Sequence, residues 1–189
     1  METKKISLAI FASGSGTNAE NIVNYFAGHD SVVISKILTN NSDAYVLERA
    51  RSLNVPTSIF SGRDLRDPSF LKELENIDFI ILAGFLLLLP EYLIREFPEK
   101  IINIHPALLP KFGGKGMYGH HVHQAVIDSG EKESGITIHL VNEEYDKGKH
   151  LFKAKCEVEA SDSADTLAAK IHKLEQLHFP RVIEEYILQ

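Results

Sequence analysis

Residues 6–18 read ISLAIFASGSGTN, an apolar run followed by a loop of glycine and other small residues. The apolar run at 6–11 predicts a buried strand. After the loop, apolar side chains recur at the spacing i, i+3, i+4 and i+7, which predicts a helix with one buried face formed by Ala19, Ile22, Val23 and Phe26. A strand that turns through a tight loop into a helix begins a strand–helix–strand unit. This stretch therefore favours a parallel sheet.

The same alternation of short β-rich runs and helical patterns continues along the chain. Strands are predicted at residues 32–38, 57–60, 79–83, 100–105, 136–141 and 151–158, and helices at 44–53, 68–75, 90–97, 122–127 and 163–187. Asp43 is expected to cap the helix at 44–53, and Pro68 suits the first turn of the next helix. We predict a single α/β domain over residues 1–189: a doubly wound, mainly parallel sheet with helices on both faces. Ligands are then expected at the carboxyl ends of the strands.

The composition is that of an ordinary soluble globular protein, with 24% charged and 44% hydrophobic residues in 189. The net charge of -6 argues against a general nucleic-acid surface, which would need a basic excess. The longest apolar run, residues 80–89, is about half of the roughly 20 residues that a membrane helix needs. Cys156 is alone, so no internal disulfide can form and the cytoplasm is the simplest compartment.

The glycine-containing loop at residues 13–18 has the chemistry of an anion site. Glycine allows close backbone approach, and the free N–H groups at a helix start favour a phosphate. Thr17 and Glu20 are expected to form a capping box there. A tight turn without a ligand is the alternative. A dinucleotide site would want an acidic residue at the end of the second strand, where the chain has residues 39–41, TNN. We therefore expect a phosphate monoester rather than NAD.

Asn103, His105 and Asp146 are the candidate catalytic residues. Asn103 and His105 lie two apart in a predicted strand, so their side chains project from one face, and Pro106 ends that strand. An amide donor, an imidazole and a carboxylate together suit acyl transfer. Taken one at a time, each also has a structural explanation: a hydrogen-bonded strand end for the first two, and turn chemistry for the aspartate.

Three further features have a possible functional meaning. Five histidines suggest a metal site, but the ligand spacing of known zinc sites is missing, so no metal is expected; they are His120, His121, His123, His139 and His150. The glycine-rich segment at residues 113–120 could be a lid over a substrate or a floppy surface loop. Residues 86–89, four leucines after a predicted strand, could line a pocket for a flat ring or belong to the core.

At these positions the chain resembles the phosphoribosylglycinamide formyltransferases, folate-dependent enzymes of purine synthesis. Five segments carry the resemblance, in the same order and spacing: SGSGTN at residues 13–18, LAGF at 82–85, NIHPALLPK at 103–111, GITIH at 135–139 and DKG at 146–148. Each segment alone is weak. Their combination over nearly the whole chain is specific.

The resemblance implies transfer of the formyl group of 10-formyltetrahydrofolate, as co-substrate, to the amine of glycinamide ribonucleotide in de novo IMP synthesis. It assigns Asn103, His105 and Asp146 to catalysis, with Asp146 keeping His105 charged and fixing its orientation. It assigns ribonucleotide binding to Gly16, Thr17, Asn18 and Glu175. Folate binding is assigned to Arg66 (or Arg63), Leu86, Leu87, Leu88, Leu89, Asn103 and Val141. These partners are small molecules, without nucleic acid, membrane or metal, and the expected state is a monomer or weak homodimer in the cytoplasm.

Three departures from the family pattern stand out. Leu86-Leu87 replaces a common Met-Arg, residues 113–120 are longer and richer in glycine, and Lys147 and Lys149 replace the usual glycine and proline around the aspartate motif. Methionyl-tRNA formyltransferase and formyltetrahydrofolate deformylase share the catalytic core, but each is expected to need an additional domain for which 189 residues leave no room. A non-catalytic nucleotide-binding regulator would be expected to have lost a residue of the triad.

Overall fold

The computed structural model of the chain describes residues 4–144 and 146–189. Its internal contacts group into two compact units, one extending to Ile102 and the other beginning at Asn103. Each unit is described by itself.

The first unit is built on parallel strands. Its strands are β1 (Ile6–Phe11), β2 (Val32–Thr39), β3 (Thr57–Ile59) and β4 (Phe79–Leu82), and its helices are α1 (Thr17–Tyr25), α2 (Val46–Ser52), α3 (Gly62–Arg66) and α4 (Glu91–Glu96), with a 3-10 helix at Pro68–Leu74. Strand β1 pairs in parallel with both β2 and β4, and β2 pairs in parallel with β3. The central strand is fully buried from Leu8 to Phe11, as its unbroken apolar sequence predicts.

The second unit combines a hairpin with two helices. Strand β5 (Ile101–His105) contains the boundary, and α5 (His120–Ser129), β6 (Glu133–Leu140), β7 (His150–Glu157) and α6 (Ala164–Ile187) follow. Strands β6 and β7 are antiparallel. Helix α6 begins with a capping box between Ser163 and Thr166, and Pro180 lies inside it.

The strands form one seven-stranded sheet in the order β3-β2-β1-β4-β5-β6-β7. The predicted fold class, a mostly parallel α/β sheet of the doubly wound type, is confirmed. The prediction of a single formyltransferase domain over residues 1–189 stays a prediction. Among the described residues, none of the helices combines the length and the apolar character that crossing a bilayer would require.

Several local predictions were wrong. Helix α1 has no side-chain cap: its N-cap is Gly16, and the side chain of Glu20 pairs with Arg49 instead of closing a capping box with Thr17. Helix α2 begins at Val46 rather than next to Asp43, whose N–H bonds to the side chain of Asn41. The helix predicted at 68–75 is a 3-10 helix, and α3 was missed although Ser61 and Asp64 form a capping box at its start.

Candidate active site

Strand β5 presents the first two polar side chains of the candidate site. Asn103 and His105 are two residues apart on this strand and therefore project from the same face. His105 is buried and Asn103 is half-buried. Buried polar groups normally have hydrogen-bond partners, so the neighbours of these two side chains define what they can do.

Each ring nitrogen of His105 faces an oxygen atom, and one of the two is hydrogen-bonded. Its Nε2 lies 2.7 Å from the carbonyl oxygen of Phe112. Because a carbonyl can only accept, Nε2 carries a proton and donates it there. The other nitrogen, Nδ1, faces Oδ2 of Asp146 at 3.6 Å. A second proton on this ring would therefore sit on Nδ1, next to a carboxylate.

Asp146 is fixed by the backbone around it. Its Oδ2 accepts a 2.8 Å hydrogen bond from the N–H of Gly114. The residue has a left-handed backbone with φ of 55°. At Gly148, a Cβ atom would lie 1.7 Å from the carbonyl oxygen of Leu140, so this turn closes directly onto the end of β6. The lysine at position 147 thus coexists with a carboxylate that still reaches His105.

His139, at the end of β6, joins Asn103 to Asp146. Its Nδ1 donates to the carbonyl oxygen of Leu140 at 2.8 Å, so in the neutral ring Nε2 is an acceptor. That Nε2 lies 3.1 Å from the amide nitrogen of Asn103, which donates to it when the ring is neutral, and 3.5 Å from Oδ1 of Asp146, toward which it donates when the ring is protonated. The contact orients the Asn103 amide and leaves its second N–H available to a ligand.

Burial and charge act in opposite directions on His105. Burial, the largest influence, lowers the pKa of its imidazole, whereas Asp146 and the hydrogen bond to Phe112 raise it, and the net pKa lies below the ordinary value. The expectation that Asp146 keeps His105 charged is therefore corrected. Asp146 does favour the charged form, but burial outweighs it, and the resting ring is neutral at pH 7.

The carboxyl of Asp146 stays ionised. Burial, again the largest influence, raises its pKa, but His139, His105 and the N–H of Gly114 together outweigh burial and lower it below the ordinary value. A neutral imidazole beside a fixed carboxylate is suited to accept a proton, because the carboxylate stabilises the imidazolium that results.

Glu175 on α6 lies close to this cluster. Its carboxylate raises the pKa of both His105 and His123, and one of its oxygens is 3.3 Å from Nδ1 of His172. The other histidines have local contacts: His120 pairs with Asp165, and His121 packs edge-on against Tyr118. Within residues 4–144 and 146–189, no three His, Cys, Asp or Glu side chains are grouped as a metal ion would need.

In the first unit, the glycine loop lies at the carboxyl end of β1. The N–H of Ser13 donates to the carbonyl of Gly84 after β4, and its hydroxyl accepts from the N–H of Leu86. Gly16 follows with φ of 74°, and Thr17 and Asn18 open α1. In a doubly wound sheet, ligands bind at the point where the strand order reverses. Here that point lies between the parallel strands β1 and β4, because the chain goes to one side of the sheet after β1 and to the other side after β4.

The leucines after β4 are not simple core. Leu86 and Leu88 are 49% and 48% exposed, whereas Leu89 is buried. At Gly62 on α3, a Cβ position would be 3.6 Å from the side chain of Leu87 and 3.7 Å from the guanidinium of Arg66. Cδ1 of Leu87 and Nη1 of Arg66 are therefore at most 7.3 Å apart. Val141, in the second unit, is the half-buried residue that follows β6.

Comparison with known proteins identifies the family. A sequence model of the formyl transferase family matches residues 6–183. The chain belongs to that family. It is 42% identical over 186 residues to the chloroplastic phosphoribosylglycinamide formyltransferase of Arabidopsis thaliana, with 92% of this chain and 64% of the relative covered. It is 33% identical over 186 residues to phosphoribosylglycinamide formyltransferase of Haemophilus influenzae, with 94% and 85% covered.

A solved structure agrees with these relatives. The phosphoribosylglycinamide formyltransferase of Anaplasma phagocytophilum matches this chain with a TM-score of 0.86 at 33% identity, over 95% of this chain and 86% of that one. The resemblance inferred from the five segments is thus confirmed. The chain spans less than two thirds, 64%, of the length of the Arabidopsis relative.

Two polar residues have contacts that the sequence-based assignment missed. His139 ends one of the segments that carried the family resemblance, and a histidine between Ile138 and Leu140 was a signal that it needs a partner. Arg49 donates from Nε to the carbonyl oxygen of Ser15 in the glycine loop at 2.8 Å. The sequence does not single out Arg49, because it resembles any charged surface residue of a short helix.

The close packing of Gly16 against α2 gives a prediction about the stability of the fold. A Cβ at Gly16 would lie 2.4 Å from Cγ2 of Val46 and 2.8 Å from its Cα, at a φ that disfavours side chains. We expect Gly16→Ala to destabilise the fold by about 2–4 kcal/mol, from left-handed strain plus overpacking. Urea unfolding measures this. Gly14→Ala is the matched control, since nothing lies within 4 Å of its Cβ position, and equal stabilities of the two variants would contradict the account.

Proposed function

We propose that the chain transfers the formyl group of 10-formyltetrahydrofolate to the amine of glycinamide ribonucleotide, a step of de novo purine (IMP) synthesis. The observation that carries the proposal is the buried cluster in which His139 orients the amide of Asn103 and Asp146 faces Nδ1 of His105. The names of the Arabidopsis and Haemophilus relatives support the choice of substrates.

The chemistry needs one bond formed, one broken and one proton moved. The amine nitrogen of the ribonucleotide attacks the formyl carbon, and the bond from that carbon to N10 of the folate then breaks. Asn103 donates its free amide N–H to the formyl oxygen as negative charge develops there. His105 takes the proton that the amine loses, and this proton finally replaces the formyl group on N10. While the ring is charged, Asp146 stabilises it.

The remaining residues bind the two substrates. Gly16, Thr17 and Asn18 hold the phosphate at the start of α1, where free N–H groups and the helix dipole favour an anion. Glu175 contacts the ribonucleotide. The folate ring lies against the leucines at 86–89 and Val141, and Arg66 reaches the folate. The exposure of Leu86 and Leu88 supports this assignment, because isolated apolar side chains of this size are available for a ligand.

The same proposal includes the compartment, the oligomeric state and a mobile segment of the protein. The chain works in the cytoplasm, as a monomer or weak homodimer, on small molecules, and it uses no metal. Residues 113–120 act as a lid, which the run of glycines would permit.

Tetrahydrofolate release tests the reaction directly. The purified chain is given 10-formyltetrahydrofolate with and without glycinamide ribonucleotide, and the release of tetrahydrofolate is followed. We expect release only when the ribonucleotide is present. Release without it would indicate a deformylase, and binding of the ribonucleotide without any release would indicate a regulator.

Asn18 is expected to act in ribonucleotide binding. Asn18→Ala should raise the Kd for glycinamide ribonucleotide about tenfold, the loss of one hydrogen bond to a charged group. Titration calorimetry measures the Kd. Asn24→Ala is the matched control, since Asn24 is exposed further along α1. An unchanged Kd in Asn18→Ala would remove this residue from the binding site.

A further inference from the structure

Helix α2 holds the glycine loop through two hydrogen bonds. The N–H of Val46 donates to the carbonyl of Gly14 at 3.1 Å. Nε of Arg49 donates to the carbonyl of Ser15 at 2.8 Å. Two consecutive carbonyl groups of the loop thus face α2. The loop and the helix belong to the same unit. Val46 follows Gly14 by 32 residues and Arg49 follows Ser15 by 34, so both hydrogen bonds are tertiary contacts.

These two bonds set the direction of the loop's N–H groups. In a trans peptide the C=O and the N–H of the same unit point in opposite directions, and the peptides on either side of Ser15 are trans. Because the carbonyls of Gly14 and Ser15 point to α2, the N–H groups of Ser15 and Gly16 point away from it. Parallel N–H groups of this kind are what an anion-binding loop needs.

Arg49 is itself held in place. Its guanidinium forms an ion pair with Glu20 of α1 and lies 5.1 Å from the centre of the Tyr45 ring. Its side chain is 24% exposed, against 74% for Arg51 on the same helix. A planar guanidinium that bonds a carbonyl and a carboxylate together resists rotation more than a single contact would.

We propose that Arg49 is a positioning residue for the phosphate: it fixes the carbonyl of Ser15 and so turns the N–H of Gly16 toward the anion. The inference rests on the phosphate-binding part of the proposed function. Glu20 neutralises most of the charge of Arg49, so the effect of Arg49 is exerted through loop geometry. Charge attraction between the guanidinium and the phosphate contributes little.

The experiment measures binding of ribose 5-phosphate, a phosphate monoester that needs no formyl transfer. We expect Arg49→Ala to raise the Kd about tenfold, the loss of one charge-assisted hydrogen bond. Arg49→Lys keeps the charge but loses the Nε donor geometry, and it should raise the Kd about fivefold or more. Arg51→Ala is the matched control and should leave the Kd unchanged. Thermal melting of each variant checks that it is folded.

The outcomes separate the two proposals. A wild-type Kd in Arg49→Ala, or full recovery of affinity in Arg49→Lys, would overturn the positioning role. At saturating glycinamide ribonucleotide, kcat of Arg49→Ala should stay within about twofold of wild type, since Arg49 acts on binding alone. If the wild-type chain binds ribose 5-phosphate but transfers no formyl group, the proposed function fails while the inference about Arg49 can stand.

Discussion

Replacing His105 with alanine is expected to lower kcat by about 10²- to 10⁴-fold, the range for loss of a general acid–base group. The neutral ring of His105, whose pKa burial lowers, has its basic nitrogen next to the Asp146 carboxylate. The other imidazole beside this carboxylate, that of His139, lies 3.5 Å from Oδ1. Single-turnover kinetics with both substrates measures the chemical step.

Two controls separate chemistry from folding for His105. His105→Gln keeps a polar side chain of similar size for the Phe112 carbonyl, and it should lose activity to a similar extent while retaining the wild-type circular dichroism spectrum. His29→Ala removes a histidine that packs on Phe26 at the end of α1, and it should be fully active. Near-normal turnover in both His105 variants would remove this residue from catalysis.

Replacing Asp146 with asparagine is expected to lower kcat by about 10²- to 10³-fold, because the charged form of His105 then lacks its counter-ion. The pH profile gives a second signature. Asp146 raises the pKa of His105, so its removal should lower that pKa further and move the acid limb of kcat/KM to lower pH. Initial rates between about pH 4 and 8 measure the limb.

Asp128→Asn makes the same chemical change on the exposed face of α5, where Asp128 accepts only a hydrogen bond from Gln124 among the contacts described. Asp128→Asn should leave kcat and the acid limb of the pH profile of kcat/KM unchanged. An Asp146→Asn variant with wild-type kcat and an unmoved acid limb would show that the 3.6 Å approach to His105 has no catalytic consequence.

The fold was predictable where short-range pattern decides it. The apolar runs at β1 and β4 are too apolar for surface loops and too short for long helices, so they predict buried strands. Because these strands alternate with segments of helical spacing, the sequence predicts a parallel sheet. Helix starts were less predictable. Glu20 has the right spacing for a capping box, but it pairs with Arg49, which lies 29 residues away. The side chain of Glu20 therefore forms a tertiary ion pair instead of the local capping box.

For the candidate site, the sequence showed which polar side chains share a strand but not which side chains they contact. Asn103 and His105 were visible because a strand puts alternate residues on one face. His139 was not assigned a role, because its contact with Asn103 spans 36 residues and depends on which strands meet. The charge state of His105 was also misjudged, since the cost of burial cannot be read from a neighbouring carboxylate in the sequence.

The most direct test of the central claim is the fate of the formyl carbon. The chain is incubated with glycinamide ribonucleotide and 10-formyltetrahydrofolate labelled with ¹³C in the formyl group, and the products are identified by NMR. The account predicts that the label appears as a formamide on the ribonucleotide, in equal amount to the tetrahydrofolate released. Label recovered as free formate, or ribonucleotide recovered unchanged, would contradict it.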